Sequence, residues 1–175
     1  LEYSDTPRIS IDVRESSRLA LDFIIRELRQ AGARPARGDG CVSFQRLTAA
    51  DTQRVAMQYD FRGDLSGLSP DGCPDDPSER VVYQYSTTSQ AIMRTTGLRG
   101  RPQPFINHVP PDGFLLRYFD RNGNELVPEL SAAERVTVHA IEVSVRISRP
   151  STMAGQTELI TTELRSLVFL PNPPS

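Results

Sequence analysis

Few side chains in this sequence could act as acids or bases near neutral pH. The only histidines are His108 and His139, and histidine is the side chain whose ordinary pKa lies in that range. His108 lies close to Pro110-Pro111 and is interpreted as a loop residue, and His139 lies in a strand-like run and is interpreted as structural or surface-exposed. The sequence contains no GxSxG, HExxH or glycine-rich phosphate-binding motif. We therefore predict that the protein is not an enzyme and expect no organic cofactor.

One short segment resembles the start of a calcium-binding loop. Asp120, Asn122 and Asn124 occupy alternate positions, as the first oxygen ligands of such a loop do. The loop lacks the usual turn glycine and has Ser131 where a glutamate ligand would end it. Asn122-Gly123 is also a strong hairpin signal. We interpret the segment as a hairpin turn, with calcium as the weaker alternative and no other metal expected.

The two cysteines, Cys41 and Cys73, do not have the spacing of a metal site. In an oxidising compartment a disulfide between them would stabilise the protein by roughly 3–4 kcal/mol in the chain-entropy model. The alternative is two buried free thiols. We predict the disulfide.

The composition is that of an ordinary globular domain. The chain has 175 residues, of which 38% are hydrophobic and 24% charged, with a net charge of −2. All basic residues are arginines, and they are scattered among acidic residues rather than clustered. Neither nucleic acid nor an anionic membrane surface is therefore expected as a partner. No apolar run is long enough to span a membrane. We predict one globular domain over residues 1–175.

A helix is predicted over about residues 10–32, ending at Gly32. At a rotation of about 100° per residue, the side chains of this helix fall into a charged stripe, a broad apolar face and an apolar extension. The stripe contains Arg18, Asp22, Arg26, Glu27 and Arg29; the face contains Leu21, Ile24, Ile25, Leu28 and Ala31; the extension contains Leu19, Ala20 and Phe23. A helix lying on one sheet needs an apolar stripe only about 100° wide. The helix is therefore either sunk deeply in the core, or packs on its own sheet and on a neighbouring subunit.

A β-rich region is predicted over about residues 41–170, because apolar residues alternate with polar ones after the helix. Strands are expected at 41–47, 53–61, 80–86, 90–96, 105–109, 113–120, 135–148 and 157–170, followed by a tail at 171–175. The run at 135–148 changes phase, which predicts a bulge near His139–Ala140. One helix followed by antiparallel strands indicates an α+β fold.

Six segments, taken in order, resemble type IV pilin-like proteins, and among them the minor pilins of the PilW type, which are related to the J-type minor pseudopilins of type II secretion. The helix end, Arg18–Gly32, is similar to the family's pattern of an acidic-apolar stretch closing on Arg-Gln-Ala-Gly. The other matching segments are Val81–Tyr85, Gln103–Val109, Phe114–Asp120 with Asn122-Gly123, Val136 with Ile141–Ile147, and Leu164–Leu170.

The resemblance implies a pilin-like fold in which an N-terminal α-helix packs on an antiparallel β-sheet through Leu21, Ile24, Ile25 and Leu28. It implies that Leu19, Ala20 and Phe23 form an assembly interface with neighbouring helices. The implied function is that of a non-catalytic minor pilin that primes assembly of a type IV pilus or caps it. The alternatives are a minor pseudopilin of a type II secretion system, or a secreted adhesin or binding domain outside any filament.

The same resemblance implies the partners and the location. The partners would be other minor pilins and the major pilin. Family members begin with an apolar helical half that sits in the inner membrane before assembly, and we expect the natural protein to have that segment ahead of Leu1, so that the sequence given is a soluble fragment. The expected location is the bacterial cell envelope, with the globular domain outside the cytoplasm, and then the pilus or pseudopilus.

Overall fold

The first element is a long helix. The computed structural model describes residues 6–33, 44–60, 73–74, 77–97, 99–153 and 156–171. Helix α1 spans Thr6–Gln30, so it begins earlier than the predicted start at residues 10–12. The helix includes Pro7 in its first turn, where proline is tolerated because its missing N–H would have no helical partner. After the helix Gly32 adopts a φ of +86°, a left-handed conformation that suits glycine.

Five strands form one antiparallel sheet in sequence order. They are β1 (Leu47–Asp51), β2 (Arg54–Gln58), β3 (Arg80–Ser86), β4 (Ala91–Thr96) and β5 (Gln103–Asn107). A short 3-10 helix at Pro77–Glu79 precedes β3.

Four further strands form a second antiparallel sheet. They are β6 (Phe114–Phe119), β7 (Glu125–Leu126), β8 (Ala140–Met153) and β9 (Gln156–Phe169). The order in space is β7-β6-β8-β9, so β9 lies at one edge. The sequence pattern predicted a single sheet, because alternation shows which residues share a face but not which strands pair.

Two strand predictions are wrong. The segment 41–47 was predicted as a strand, but β1 begins only at Leu47; residues 41–43 lie outside the described part of the chain. The segment 135–148 was predicted as one strand with a bulge, but helix α2 spans Ala132–Thr137 and β8 starts at Ala140. Ser131 and Glu134 form a capping box at the start of α2, which favours the helix locally. The phase change therefore marks the passage from helix to strand.

The core lies between α1 and the two sheets. Helix α1 packs mainly on β8 and β9 and touches β5. The sheets are joined directly, since the Tyr118 hydroxyl of β6 donates a hydrogen bond to the Asp51 carbonyl at 2.8 Å and the Leu116 N–H donates to the Thr52 carbonyl at 2.8 Å. One buried cluster contains side chains from the helix and from both sheets. The helix position is therefore fixed by both sheets together.

The end of α1 is held by backbone hydrogen bonds, and a buried arginine joins segments that lie nearby. The Gly32 N–H donates to the Gln58 carbonyl at 2.8 Å. The Arg46 guanidinium donates to the carbonyls of Val138 and Pro171, which brings the start of the five-stranded sheet against the end of β9. Burial lowers the pKa of Arg46. The predicted tail begins with Pro171; residues 172–175 lie outside the described part.

Candidate functional site

The sheet-facing side of α1 is buried. Leu21, Ile24, Ile25 and Leu28, which the sequence assigned to packing on the sheet, all belong to the core cluster. Their spacing brings them to one side of the helix. This side is therefore used within the molecule and is not free for a partner.

The three residues predicted as an assembly interface have three different environments. Leu19 is 71% exposed, Phe23 is half-buried and Ala20 is only 5% exposed. Ala20 is part of the domain's own core, so little of its side chain is open to a neighbouring helix, and its role in assembly stays a prediction. Leu19 is the member that is open to a partner.

A groove beside Leu19 runs between α1, the end of β5 and β8. Its volume is about 480 Å³, and its lining residues from the helix are Ser16, Leu19, Ala20 and Phe23. The opposite wall is formed by residues 105–108 together with Ile147 and Arg149. The groove is mixed in character, since Arg149 and His108 face apolar side chains across it.

Phe23 is tied into its own domain by aromatic and cationic neighbours. Its ring lies 5.3 Å from the ring of Phe105, which in turn lies 5.4 Å from the ring of Tyr83. The guanidinium carbons of Arg26 and Arg94 lie 4.8 and 5.6 Å from the Phe23 centroid, within cation–π range. Phe23 therefore joins α1 to the five-stranded sheet, and a substitution there would disturb the fold as well as any interface.

A buried ion pair lies next to Phe23. Glu27 is 6% exposed and accepts hydrogen bonds from Arg94 Nη2 at 2.6 Å, from Arg94 Nε at 3.2 Å and from the Tyr83 hydroxyl. The prediction that Glu27 belongs to the charged stripe of α1 is wrong. Glu27 lies eight residues after Leu19. At a rotation of about 100° per residue, its angular position around the helix axis falls between those of Phe23 and Ala20. The structure thus adds a buried charge that the residue types alone did not indicate.

This network shifts the ionisation of its neighbours. Burial, together with the Glu27 charge and hydrogen bond, raises the pKa of Tyr83. Burial, followed by the charge of Glu27, raises the pKa of Tyr59 to about 12. Burial alone would lower the pKa of Arg94, but its hydrogen bonds and charge interaction with Glu27 outweigh that effect and raise it. The guanidinium of Arg94 is therefore held in the charged form, and the network binds α1 to β3 and β4.

The two histidines are in different places. His108 is exposed at the end of β5 and lines the groove beside Leu19; none of the described groove residues is a carboxylate. His139 lies with its ring 5.7 Å from the ring of Phe169 and borders a second cavity of about 310 Å³ that also contains Asp120. Neither histidine is in hydrogen-bond contact with an acid in the pairs that the structure records.

The candidate calcium ligands form a turn. Both carboxylate oxygens of Asp120 accept hydrogen bonds: Oδ1 from the N–H groups of Asn122 and Asn124, each at 2.8 Å, and Oδ2 from the Asn124 side chain at 2.9 Å. The side-chain and backbone bonds from Asn124 lower the pKa of Asp120. Asp120 thus closes the hairpin, and within the described residues no group of three or more His, Cys, Asp or Glu side chains is placed to hold a metal ion.

The predicted disulfide falls only partly in the described chain. Cys73 takes part in a disulfide bond, so the described part of the chain contains no free cysteine. Cys41 lies outside the described residues. The pairing of Cys41 with Cys73 therefore stays a prediction.

The arrangement of an N-terminal helix on antiparallel sheets defines an α+β, pilin-like fold, as the sequence predicted. A solved structure of similar architecture is the type IV-like pilin TTHA1219 from Thermus thermophilus, with a TM-score of 0.57 and 14% sequence identity over 93% of this chain and 97% of that chain. No protein-family model and no curated protein sequence matches the chain. Among the described helices, none is long and apolar enough to span a membrane.

Proposed function

We propose that this chain is the globular part of a non-catalytic minor pilin, which primes assembly of a type IV pilus or caps it. The observation that carries the proposal is the likeness of nearly the whole fold to a type IV-like pilin. The segments that resemble PilW-type minor pilins, from the helix end at Arg18–Gly32 to the closing strand, support the finer assignment.

The surface proposed for assembly is the outward side of α1 around Leu19. Leu19 is exposed at the edge of the stripe that contains the charged residues Arg18, Asp22 and Arg26. Burying a leucine side chain fully contributes about 1.5–3 kcal/mol, before the costs of association. Contact with a neighbouring helix would remove this leucine side chain from water. The charged residues beside it would set the orientation of the contact.

The proposed partners are other minor pilins and the major pilin, and the proposed location is the bacterial cell envelope. The role requires that the natural protein carry an apolar helical segment ahead of Leu1, which would anchor it in the inner membrane before assembly. A disulfide between Cys41 and Cys73 would suit a globular domain outside the cytoplasm. The sequence of the native gene upstream of Leu1 tests the anchor directly.

The assembly role is tested by Leu19→Asp in the full-length protein in its own bacterium. We expect fewer pili by electron microscopy, with an unchanged circular dichroism spectrum and unfolding midpoint for the isolated domain. Val136→Asp is the matched control, because Val136 is also an exposed apolar residue but lies on α2. Normal piliation in the Leu19→Asp strain, with the control also normal, would refute the proposed surface.

A deletion of the gene separates the pilus from the secretion role. Loss of pili with normal protein secretion supports the proposal. Failure of secretion with intact pili would assign the protein to a type II secretion system instead, and a strain with neither defect would favour an adhesin or binding domain.

A further inference from the structure

The edge strand β9 has an unusual outer face. Its side chains alternate strictly, so that the odd-numbered residues from 159 to 169 are exposed and the even-numbered ones face the helix. Three of the exposed side chains are large and apolar: Leu159 (67% exposed), Leu167 (47%) and Phe169 (61%). Large apolar residues on an exposed edge strand favour pairing with another strand.

The edge of β9 is available for hydrogen bonding. In the part of the chain that the structure describes, this 14-residue strand pairs only with β8, on one side. Alternate residues of an antiparallel strand point their N–H and C=O groups away from the first neighbour. The outer edge therefore presents a row of donors and acceptors with which another extended chain can pair along its length.

The sequence of this edge is complementary to itself. We infer that β9 pairs antiparallel with β9 of a second copy of this chain, about a two-fold axis that passes through Leu164 normal to the sheet. On the outer face this register places Leu159 opposite Phe169, Thr161 opposite Leu167, and Glu163 opposite Arg165 of the second copy. Each pair occurs twice, because the interface is isologous.

The same two-fold axis also places compatible residues opposite one another on the helix-facing side of β9. Ile160 falls opposite Val168 of the second copy, Thr162 opposite Ser166 of the second copy, and Leu164 opposite its own copy. Apolar residues therefore meet apolar residues and hydroxyls meet hydroxyls on the helix-facing side. Directly opposite cross-strand pairs of these kinds stabilise a sheet.

The register is specific. An axis moved by one residue in either direction would place Glu163 opposite Glu163, or Arg165 opposite Arg165, and like charges in such positions are destabilising. Within one copy, Arg165 already donates to Glu163 at 2.6 Å, and its side chain is 64% exposed. It can therefore reach across the edge, and the contact would join the two four-stranded sheets into one continuous sheet.

The inference does not depend on the proposed pilus role, since it uses the edge of β9 and not the surface around Leu19. The test is sedimentation velocity on the chain as given, from roughly 10 µM to 1 mM, where weak interfaces are populated. Wild type is expected to shift from monomer to dimer over this range. A wild-type protein that stays monomeric throughout would overturn the inference.

Charge reversal tests the register. Glu163→Arg and Arg165→Glu each place like charges opposite one another in both pairs, and each is expected to raise the dissociation constant roughly tenfold or more. An equimolar mixture of the two variants restores opposite charges in both pairs and is expected to form a heterodimer. The double variant Glu163→Arg/Arg165→Glu is expected to dimerise like wild type.

The mixture also separates the interface from effects inside one chain. A change that acted only through the contact between Glu163 and Arg165 within a copy would not be reversed by mixing. Circular dichroism and the unfolding midpoint of each variant check its fold. A dimer that both single variants leave unchanged, or a mixture that stays monomeric, would contradict pairing through β9.

Discussion

Removing one member of the buried ion pair is the sharpest test of how α1 is held. In Arg94→Met the Glu27 carboxylate loses two hydrogen bonds and its counter-charge while it stays 6% exposed. Its remaining recorded partner is the Tyr83 hydroxyl. Breaking a buried pair from one side costs about 3–5 kcal/mol, and the lost cation–π contact with Phe23 adds to it. We expect a loss of about 3–5 kcal/mol in the free energy of unfolding.

The loss is large for a protein of this size, since folded domains are stable by only about 5–15 kcal/mol. The measurement is urea denaturation at neutral pH, followed by circular dichroism, with m-values compared to confirm two-state unfolding. Arg117→Met is the matched control, because Arg117 also contacts two carboxylates, at 2.7 and 3.1 Å, but on the exposed outer face. We expect the control to lose little stability.

A compensated variant tests the cause. Glu27→Leu/Tyr83→Phe/Arg94→Met removes the charges and the hydroxyl together, so that no polar group of the network is left buried without a partner. Replacing a complete buried network by apolar side chains is often nearly neutral, and we expect this variant to recover most of the loss. A single variant as stable as wild type, or a triple variant as unstable as Arg94→Met, would refute the argument from desolvation.

Two further predictions concern pH and backbone conformation. Burial raises the pKa of Tyr59, Tyr83 and Tyr118 above the ordinary value of 10.0. The tyrosines of the unfolded chain therefore lose their protons first, so the full stability is present below pH 10 and decreases as the pH rises above it. At about 1.4 kcal/mol per group and pH unit, the free energy of unfolding falls by about 4 kcal/mol by roughly pH 11. Urea unfolding at several pH values across this range, monitored by tyrosinate absorbance, measures this loss. A free energy of unfolding that stays unchanged would contradict the prediction. Gly32→Ala should cost about 1–2 kcal/mol in the same assay, because φ is +86° and the new Cβ would lie 2.9 Å from Arg46 Cγ; an unaffected midpoint would count against strain at this position.

Much of the fold was readable from local patterns. The helix ending near Gly32, the hairpin of β3 and β4 and the turn at Asn122-Gly123 all follow from short-range periodicity and turn chemistry. The segment before β8 was misread, because the valines at 136 and 138 suit a strand while the capping box of Ser131 and Glu134 favours a helix. The capping box, whose two residues lie three positions apart, is the local signal that identifies this helix.

The candidate site was less predictable. Leu19 and Phe23 have similar apolar character in the sequence, yet Leu19 is exposed and Phe23 is half-buried against Phe105, Arg26 and Arg94. Phe105 and Arg94 come from strands far along the chain. The exposure of each apolar residue on the helix therefore depends on its contacts with distant strands, and the periodicity of the helix does not show those contacts.

By itself the sequence determined the class of fold, because apolar residues that repeat about every 3.6 positions indicate a helix and those that repeat every 2 indicate a strand. Both repeats are local properties of the chain. It also determined that β9 carries complementary residues about Leu164. Only the tertiary structure decided that the strands divide into two sheets, that Glu27 is buried against Arg94, and that β9 lies at an edge where those residues can meet a partner. These outcomes depend on strand pairing and burial between residues distant in sequence, whose energies are set by the surrounding three-dimensional packing.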